Sequence, residues 1–268
     1  MQEAAVARIA LCQLNSGDDP EANLKLVRSG VEAAVSGGAR IVVFPEATMA
    51  RFGRPLDTVA EPLDGPWASA VAAVAAEHDV VIVAGMFTPA DGRVRNTLLV
   101  TGGGHHRGYH KIHLYDAFGF AESDTVAPGT SLTTFEFDGV VYGVATCYDV
   151  RFPELFRALA DDGADVVLLP ASWGAGEGKR EQWEVLVRAR ALDSGCWVLA
   201  CGQADPAATG VTVNPKAPTG IGYSLASDGF GRVRAAASAG PETLLVDVDP
   251  AVAAQARTAT GALANRRL

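Results

Sequence analysis

No stretch of this 268-residue chain is apolar for long enough to cross a bilayer; its hydrophobic runs are short and punctuated, so no transmembrane span and no membrane partner are expected. Positive charge is also scarce. Against 31 Asp and Glu there are 22 Lys and Arg, and the net charge of −9 argues against an extended nucleic-acid surface or a polybasic anchor. The four cysteines, Cys12, Cys147, Cys196 and Cys201, lie far apart or inside apolar runs with no C-x-x-C pair. A disulfide framework is therefore not expected, and a reducing cytoplasm fits better. The opening Met1 to Arg8 is interrupted by Glu3 and Arg8 and lacks a signal-peptide pattern, which agrees with a cytoplasmic location. No G-x-S-x-G occurs, which disfavours a serine hydrolase. Gly174 to Lys179 imitates a phosphate loop but has Trp173 at the first glycine position and Arg180 where Ser or Thr is required. His105, His106, His110 and His113 have no carboxylate or thiol at zinc spacing, and His110 and His113 are expected on opposite faces of a strand, so neither a metal nor a cofactor is expected.

What the chain does have is apolar mass, 49% of its residues, enough for a large core. An α/β chain of this length is commonly one domain, and a single domain over 1–268 is expected, with no linker to divide it. Strand-like and helix-like segments alternate. Val6 to Leu14 reads as a strand; Asp19 caps a helix with Pro20 in its first turn and Leu24, Val27, Val31 and Val35 along one side. Gly37-Gly38 ends that helix before a buried strand at Ala39–Phe44. Pro66 opens a second helix, followed by a strand at Val80–Ala84 and β segments near Asn96–Thr101 and Tyr109. The second half repeats the rhythm: a hairpin through Asp138-Gly139, a helix from Pro153, a strand at Ala164–Leu169, a helix at Arg180–Asp193 and a strand at Trp197–Gly202. Three more β segments (Tyr223–Ala226, Val233–Ala236, Leu244–Val248) precede a helical tail from Pro250.

Three residues stand at strand ends, where open α/β sheets gather their ligand sites. Cys147 lies between the apolar run Val140–Thr146 and the helix start at Pro153-Glu154. Backbone N–H groups and a helix dipole there are expected to lower a thiol pKa, although a buried structural cysteine is an equally ordinary reading. Glu46 follows the strand ending in Phe44-Pro45, and Lys111 follows the β segment at Tyr109. Alone, each is an unremarkable surface charge. Together they supply an acid, a cation and a nucleophile.

The blocks Phe44-Pro45-Glu46, Tyr109-His110-Lys111-Ile112-His113-Leu114 and Cys147-Tyr148-Asp149-Val150-Arg151-Phe152-Pro153-Glu154 resemble, in order and separation, the three signature blocks of the nitrilase superfamily of carbon–nitrogen hydrolases. The similarity covers nearly the whole chain, from Ala7–Leu14 through Ala164–Trp173 and Trp183–Ala191 to Gly222-Tyr223-Ser224 and Asp228–Gly231, with Tyr223 where many members have histidine. It is nearest the Nit-type amidases, which include omega-amidase and deaminated glutathione amidase.

The resemblance implies a four-layer α-β-β-α sandwich and a thiol-dependent hydrolase that releases ammonia from a small carboxyamide. Cys147 would be the nucleophile, Glu46 the general base, Lys111 the oxyanion stabiliser together with the Tyr148 N–H, and Glu122 a second carboxylate orienting Lys111 and the substrate amide. Small-molecule amides are the expected partner, and homodimers or larger homo-oligomers the expected assembly, with Phe152 and Phe156 as weak support. Nit-type substrates carry a carboxylate or keto acid at the far end, so a cation should face the acyl pocket. Arg151, four residues past the nucleophile, is the first candidate, against a structural ion pair with Asp149 or Glu154. Lys179 and Arg180 follow a glycine-rich stretch that would suit a pocket-side loop, though most such charges are solvated. Trp173 and Tyr115 are candidate pocket walls, against ordinary core packing. The same constellation would serve an N-carbamoyl amidohydrolase or a nitrilase, and an inert interaction protein on the same fold is the reading of another class.

Overall fold

The computed structural model describes residues 6–117, 119–214 and 217–267; Met1 to Ala5, which carry part of the leader reading, lie outside the described residues. Strand β1 (Ala7–Gln13) leads to helix α1 (Pro20–Ser36), whose start is set as its sequence predicts: the Asp19 carboxylate accepts from Glu21 N at 3.0 Å and Pro20 fills the first turn. Then follow β2 (Ile41–Val43), α2 (Pro66–His78), β3 (Val81–Ala90), β4 (Arg93–Gly102) and β5 (His105–His110). A small ribbon, β6 (Asp116–Ala117) with β7 (Phe120–Ala121), precedes the second half. That half contains β8 (Thr134–Phe137), β9 (Val140–Val144), α3 (Pro153–Asp161), β10 (Val166–Ala171), α4 (Lys179–Ser194), β11 (Trp197–Gly202), β12 (Leu225–Ser227), β13 (Val233–Ala236), β14 (Glu242–Val248) and α5 (Pro250–Thr260).

Two six-stranded sheets result, in the orders β14-β1-β2-β3-β4-β5 and β13-β12-β11-β10-β9-β8. Side chains alternate across each strand, and that period of two builds the layers. Ile9 and Leu11 of β1, with Val166 and Leu168 of β10, face the core between the sheets. Ala10 and Cys12 turn outward onto Val27, Val31 and Val71 of α1 and α2, and Val167 and Leu169 turn outward onto Phe156, Trp183 and Val187 of α3 and α4. The architecture is the α-β-β-α sandwich.

Two local differences from the sequence reading have simple causes. Strand β3 continues to Ala90 because it pairs with β4 along its whole length, despite Gly85 and Pro89, which interrupt the strand pattern. Phe156 is fully buried against the second sheet and Phe152 stacks on His113, so both have partners within the chain. The hairpin at Asp138-Gly139 forms as expected, both residues having positive φ (51° and 78°), as a type I′ turn requires.

Strands β1, β2 and β3 are parallel, β4 reverses, and β5 reverses again, so β5 runs in the direction of β2. In the other sheet β9, β10 and β11 are parallel. The turn after β2 folds tightly over β3. Gly85 N donates to Pro45 O at 3.1 Å, and a methyl group at Gly85 would collide with the Ala47 nitrogen and lie 2.7 Å from Glu46 Cα. Gly85→Ala is therefore expected to cost about 1–3 kcal/mol through forced backbone shift. The expected readout is a lower urea midpoint at unchanged slope.

Candidate active site

Beyond β9 the chain turns sharply. Cys147 opens a short 3-10 turn (Cys147–Arg151) with φ of +48°, a left-handed conformation that strains a side chain bearing Cβ by about 1–3 kcal/mol. Asp149, fully buried, holds that turn. Its Oδ2 accepts from Thr146 N at 2.9 Å and from the Tyr109 hydroxyl at 2.6 Å; its Oδ1 accepts from His113 N at 3.1 Å and His113 Nδ1 at 2.8 Å. One carboxylate thus ties the Cys147 turn to the segment carrying Lys111. His113 lies past the end of β5, not on the strand as expected, and serves as a partner of Asp149.

Glu46 and Lys111 are both buried, contrary to the ordinary fate of such residues. Lys111 Nζ lies 3.0 Å from Glu46 Oε1 and 2.9 Å from Glu122 Oε2. Glu46 Oε2 accepts from Ser172 N at 2.8 Å, across the seam between the sheets. Tyr115 N donates to Glu122 Oε2 at 2.7 Å. Lys111 is fixed through its backbone as well: its N–H donates to Asn96 O at 2.9 Å, and its carbonyl accepts from Gly129 N at 2.7 Å. A side chain at Gly129 would collide with the His110 carbonyl, which explains the Pro-Gly turn there.

Two contributors went unread in the sequence. Asn96 Nδ2 bridges the carboxylates, 2.7 Å from Glu46 Oε1 and 3.2 Å from Glu122 Oε1. Ser172 supplies the N–H on Glu46 and a carbonyl 3.7 Å from the Cys147 sulfur. Asparagine inside the apolar strand β4 was the available signal for the first, since a buried amide needs polar partners. Ser172 acts through its backbone and left none.

Cys147, Glu46, Lys111 and Glu122 line one cavity together with Tyr115, Tyr148 and Trp173. Phe52, Leu56, Phe120, Val126 and Pro218 complete its apolar wall. Arg151 is not among the described lining residues. Its guanidinium carbon lies 5.1 Å from the Trp173 ring centroid and 5.9 Å from that of Tyr148, and Nη2 donates to Gln182 Oε1 at 2.8 Å. Lys179, like Lys111, is among the described lining residues.

Burial opposes the Lys111 charge, but Glu122 and Glu46 outweigh it and raise the ammonium pKa well above its ordinary 10.5. The linked stability is complete below the unfolded value of 10.5 and lost only as pH rises through the higher folded value. For Cys147 the expected direction is reversed. Burial and the neighbouring Glu46 charge push the thiol well above its ordinary value, with Lys111 countering only in part. At rest the sulfur holds its proton, so any attack by sulfur requires a base to remove it.

The carbon–nitrogen hydrolase family profile matches residues 8–258. The chain is 52% identical over 266 residues to "Hydrolase Rv0480c" of Mycobacterium tuberculosis, covering 97% of this chain and 95% of that protein. It is 33% identical over 253 residues to the deaminated glutathione amidase of Escherichia coli O157:H7, covering 92% of each. Among solved structures it resembles Saccharomyces cerevisiae Nit3, a member of branch 10 of the nitrilase superfamily, with a TM-score of 0.85, 26% identity and coverage of 99% and 98%.

Lys111→Met leaves two buried carboxylates without their shared cation and is expected to lower unfolding stability by about 3–5 kcal/mol in urea titration. Glu46→Gln removes a charge that raises the Cys147 thiol. The thiolate absorbance attributable to Cys147, isolated by subtracting the Glu46→Gln/Cys147→Ala double variant, is expected to appear at lower pH than in the parent protein.

Proposed function

The chain belongs to the carbon–nitrogen hydrolase family, and we propose that it hydrolyses the amide of a small carboxyamide through a thioester on Cys147, releasing ammonia. The carrying observation is the buried cluster of Glu46, Lys111 and Cys147 lining one cavity, with the thiol held protonated beside a carboxylate. Glu46 takes the thiol proton as sulfur attacks the amide carbon. The resulting oxyanion is held by Lys111 and the Tyr148 backbone N–H. Lys111 has three donors, and one to each carboxylate leaves one for substrate. As the C–N bond breaks, Glu46 returns the proton to the departing nitrogen and ammonia leaves. Water then gives a proton to Glu46 while its oxygen attacks the thioester; the C–S bond breaks, the acid departs and the sulfur is reprotonated.

Glu122, locked onto Lys111 and Tyr115 N, keeps the ammonium aimed at the reacting carbon. The similarity to deaminated glutathione amidase supports an acyl group that ends in a carboxylate or keto acid. No helix among the described residues is long and apolar enough to cross a membrane.

An ammonia-release screen over keto-acid amides, deaminated glutathione, N-carbamoyl compounds and nitriles is expected to find turnover among the first two. Cys147→Ala is expected to reduce it by at least about 10⁴-fold with unchanged thermal unfolding. Intact-mass measurement during turnover should show the acyl adduct on the parent protein and not on the variant. Full activity in Cys147→Ala, or turnover confined to nitriles, would overturn this reading.

A further inference from the structure

Asn96 stands where its strand calls for an apolar residue. On β4 it shares a face with Leu98 and Val100, which pack into the core between the sheets, and across the ladder it pairs with the fully buried Phe87 of β3. Its own side chain is buried, and its Oδ1 has no hydrogen-bond partner among the described residues. A buried acceptor left unpaired is costly, so what holds the amide this way is its nitrogen. Nδ2 lies 2.7 Å from Glu46 Oε1 and 3.2 Å from Glu122 Oε1. Lys111 Nζ touches the same two oxygens, at 3.0 and 3.2 Å. Two carboxylate oxygens are thus bridged by nitrogen on both sides. Glu46 and Glu122 share one ammonium and carry a surplus negative charge, the condition under which a close pair takes up a proton and shares it. A proton held there would bring Glu46 to the reaction already protonated. Asn96 is not among the described residues lining the cavity, so it acts through the carboxylates and not on substrate.

We propose that Asn96 is a positioning residue of the reaction: its amide occupies the facing oxygens of Glu46 and Glu122, keeps a proton from bridging them, and leaves Glu46 Oε2 as the oxygen that takes the thiol proton. The assignment rests on the amidase reading above. Oε1 of Glu46 already accepts from two nitrogens, whereas Oε2 accepts from Ser172 N, whose own carbonyl lies 3.7 Å from the Cys147 sulfur. The donor type matters. A lysine or arginine at position 96 would add a second cation and weaken Glu46 as a base, and a serine would bring one hydrogen for two oxygens. An amide brings two hydrogens and no net charge. The ionisable groups around it come from four places: Glu46 after β2, Lys111 after β5, Glu122 after β7 and Cys147 after β9. The unpaired Oδ1 is the cost of turning both hydrogens toward the carboxylates.

The test is the pH profile of kcat/KM for ammonia release, measured with the best amide of the screen above. Asn96→Leu, which continues the apolar row, should move the acid limb to higher pH by about 1–2 pH units, the range for losing one hydrogen bond to a charged group. Its activity should recover toward the parent value as pH rises. Asn96→Asp is nearly isosteric and tests the same point where leucine is not tolerated. Its carboxyl donates only while protonated, so its activity should fall on the alkaline side at lower pH than in the parent protein. A second readout needs no turnover: at neutral pH, infrared spectra of Asn96→Leu should show a protonated-carboxyl band that the parent lacks and that disappears when Glu122→Gln is added. A loss of activity equal at every pH in both variants, or no such band in Asn96→Leu, would overturn the assignment and leave the amidase reading intact. Failure of the parent protein to release ammonia from any amide would overturn the amidase reading and the assignment with it.

Discussion

A single ammonium held between two buried carboxylates governs this molecule. Lys111 out of water is costly, and so are Glu46 and Glu122; the three are tolerated because the ammonium lies 2.9–3.0 Å from both carboxylates. That requirement draws three distant segments together: the turn after β2, the exit of β5 and the short turn after β7. Asn96 then bridges the two carboxylates from β4, which runs beside β5. The rest of the site is arranged around this charge cluster.

The second sheet contributes what the first lacks. Cys147 and Ser172 come from the ends of β9 and β10, and the Ser172 N–H on Glu46 stitches the two sheets at the cavity floor. The inter-sheet core sets the separation between them, so ordinary packing of Ile9, Leu11, Val166 and Leu168 also fixes where sulfur stands relative to carboxylate. Backbone strain is concentrated in the same place. Ala47, next to Glu46, and Cys147 both have positive φ, and each turn is held by surrounding bonds, from Gly85 on one side and Asp149 on the other. Strain of this kind persists only where the surroundings over-determine it.

Much of this was legible in the chain. The Asp19-Pro20 helix start, the Asp138-Gly139 hairpin and the strand at Trp197–Gly202 follow from local rules, and the placement of Glu46, Lys111 and Cys147 at strand ends follows from the alternation of elements. Less legible were groups whose contribution depends on distant partners. Ser172 is used through its N–H, which every residue but proline has. Lys179 lines the cavity and Arg151 is not among its described lining residues, although Arg151 is nearer Cys147 in sequence; its guanidinium packs against the rings of Tyr148 and Trp173 instead. The thiol departs from its local signal for a related reason. The local signal of a strand-to-helix turn favours thiolate, but burial and a carboxylate arriving from the other sheet outweigh it.

The sequence by itself determined the elements, the layer to which each apolar residue belongs, and the kinds of groups available for chemistry. These are properties of spacing and residue type, read within a window of ten or twenty positions. The tertiary structure alone decided which charges neutralise one another, which protonation state the sulfur rests in, and which cation faces the cavity. Those depend on distances between residues up to 126 positions apart, as Glu46 and Ser172 are, and electrostatic energy is set by distance in space and by exclusion of water, neither of which is written along the chain.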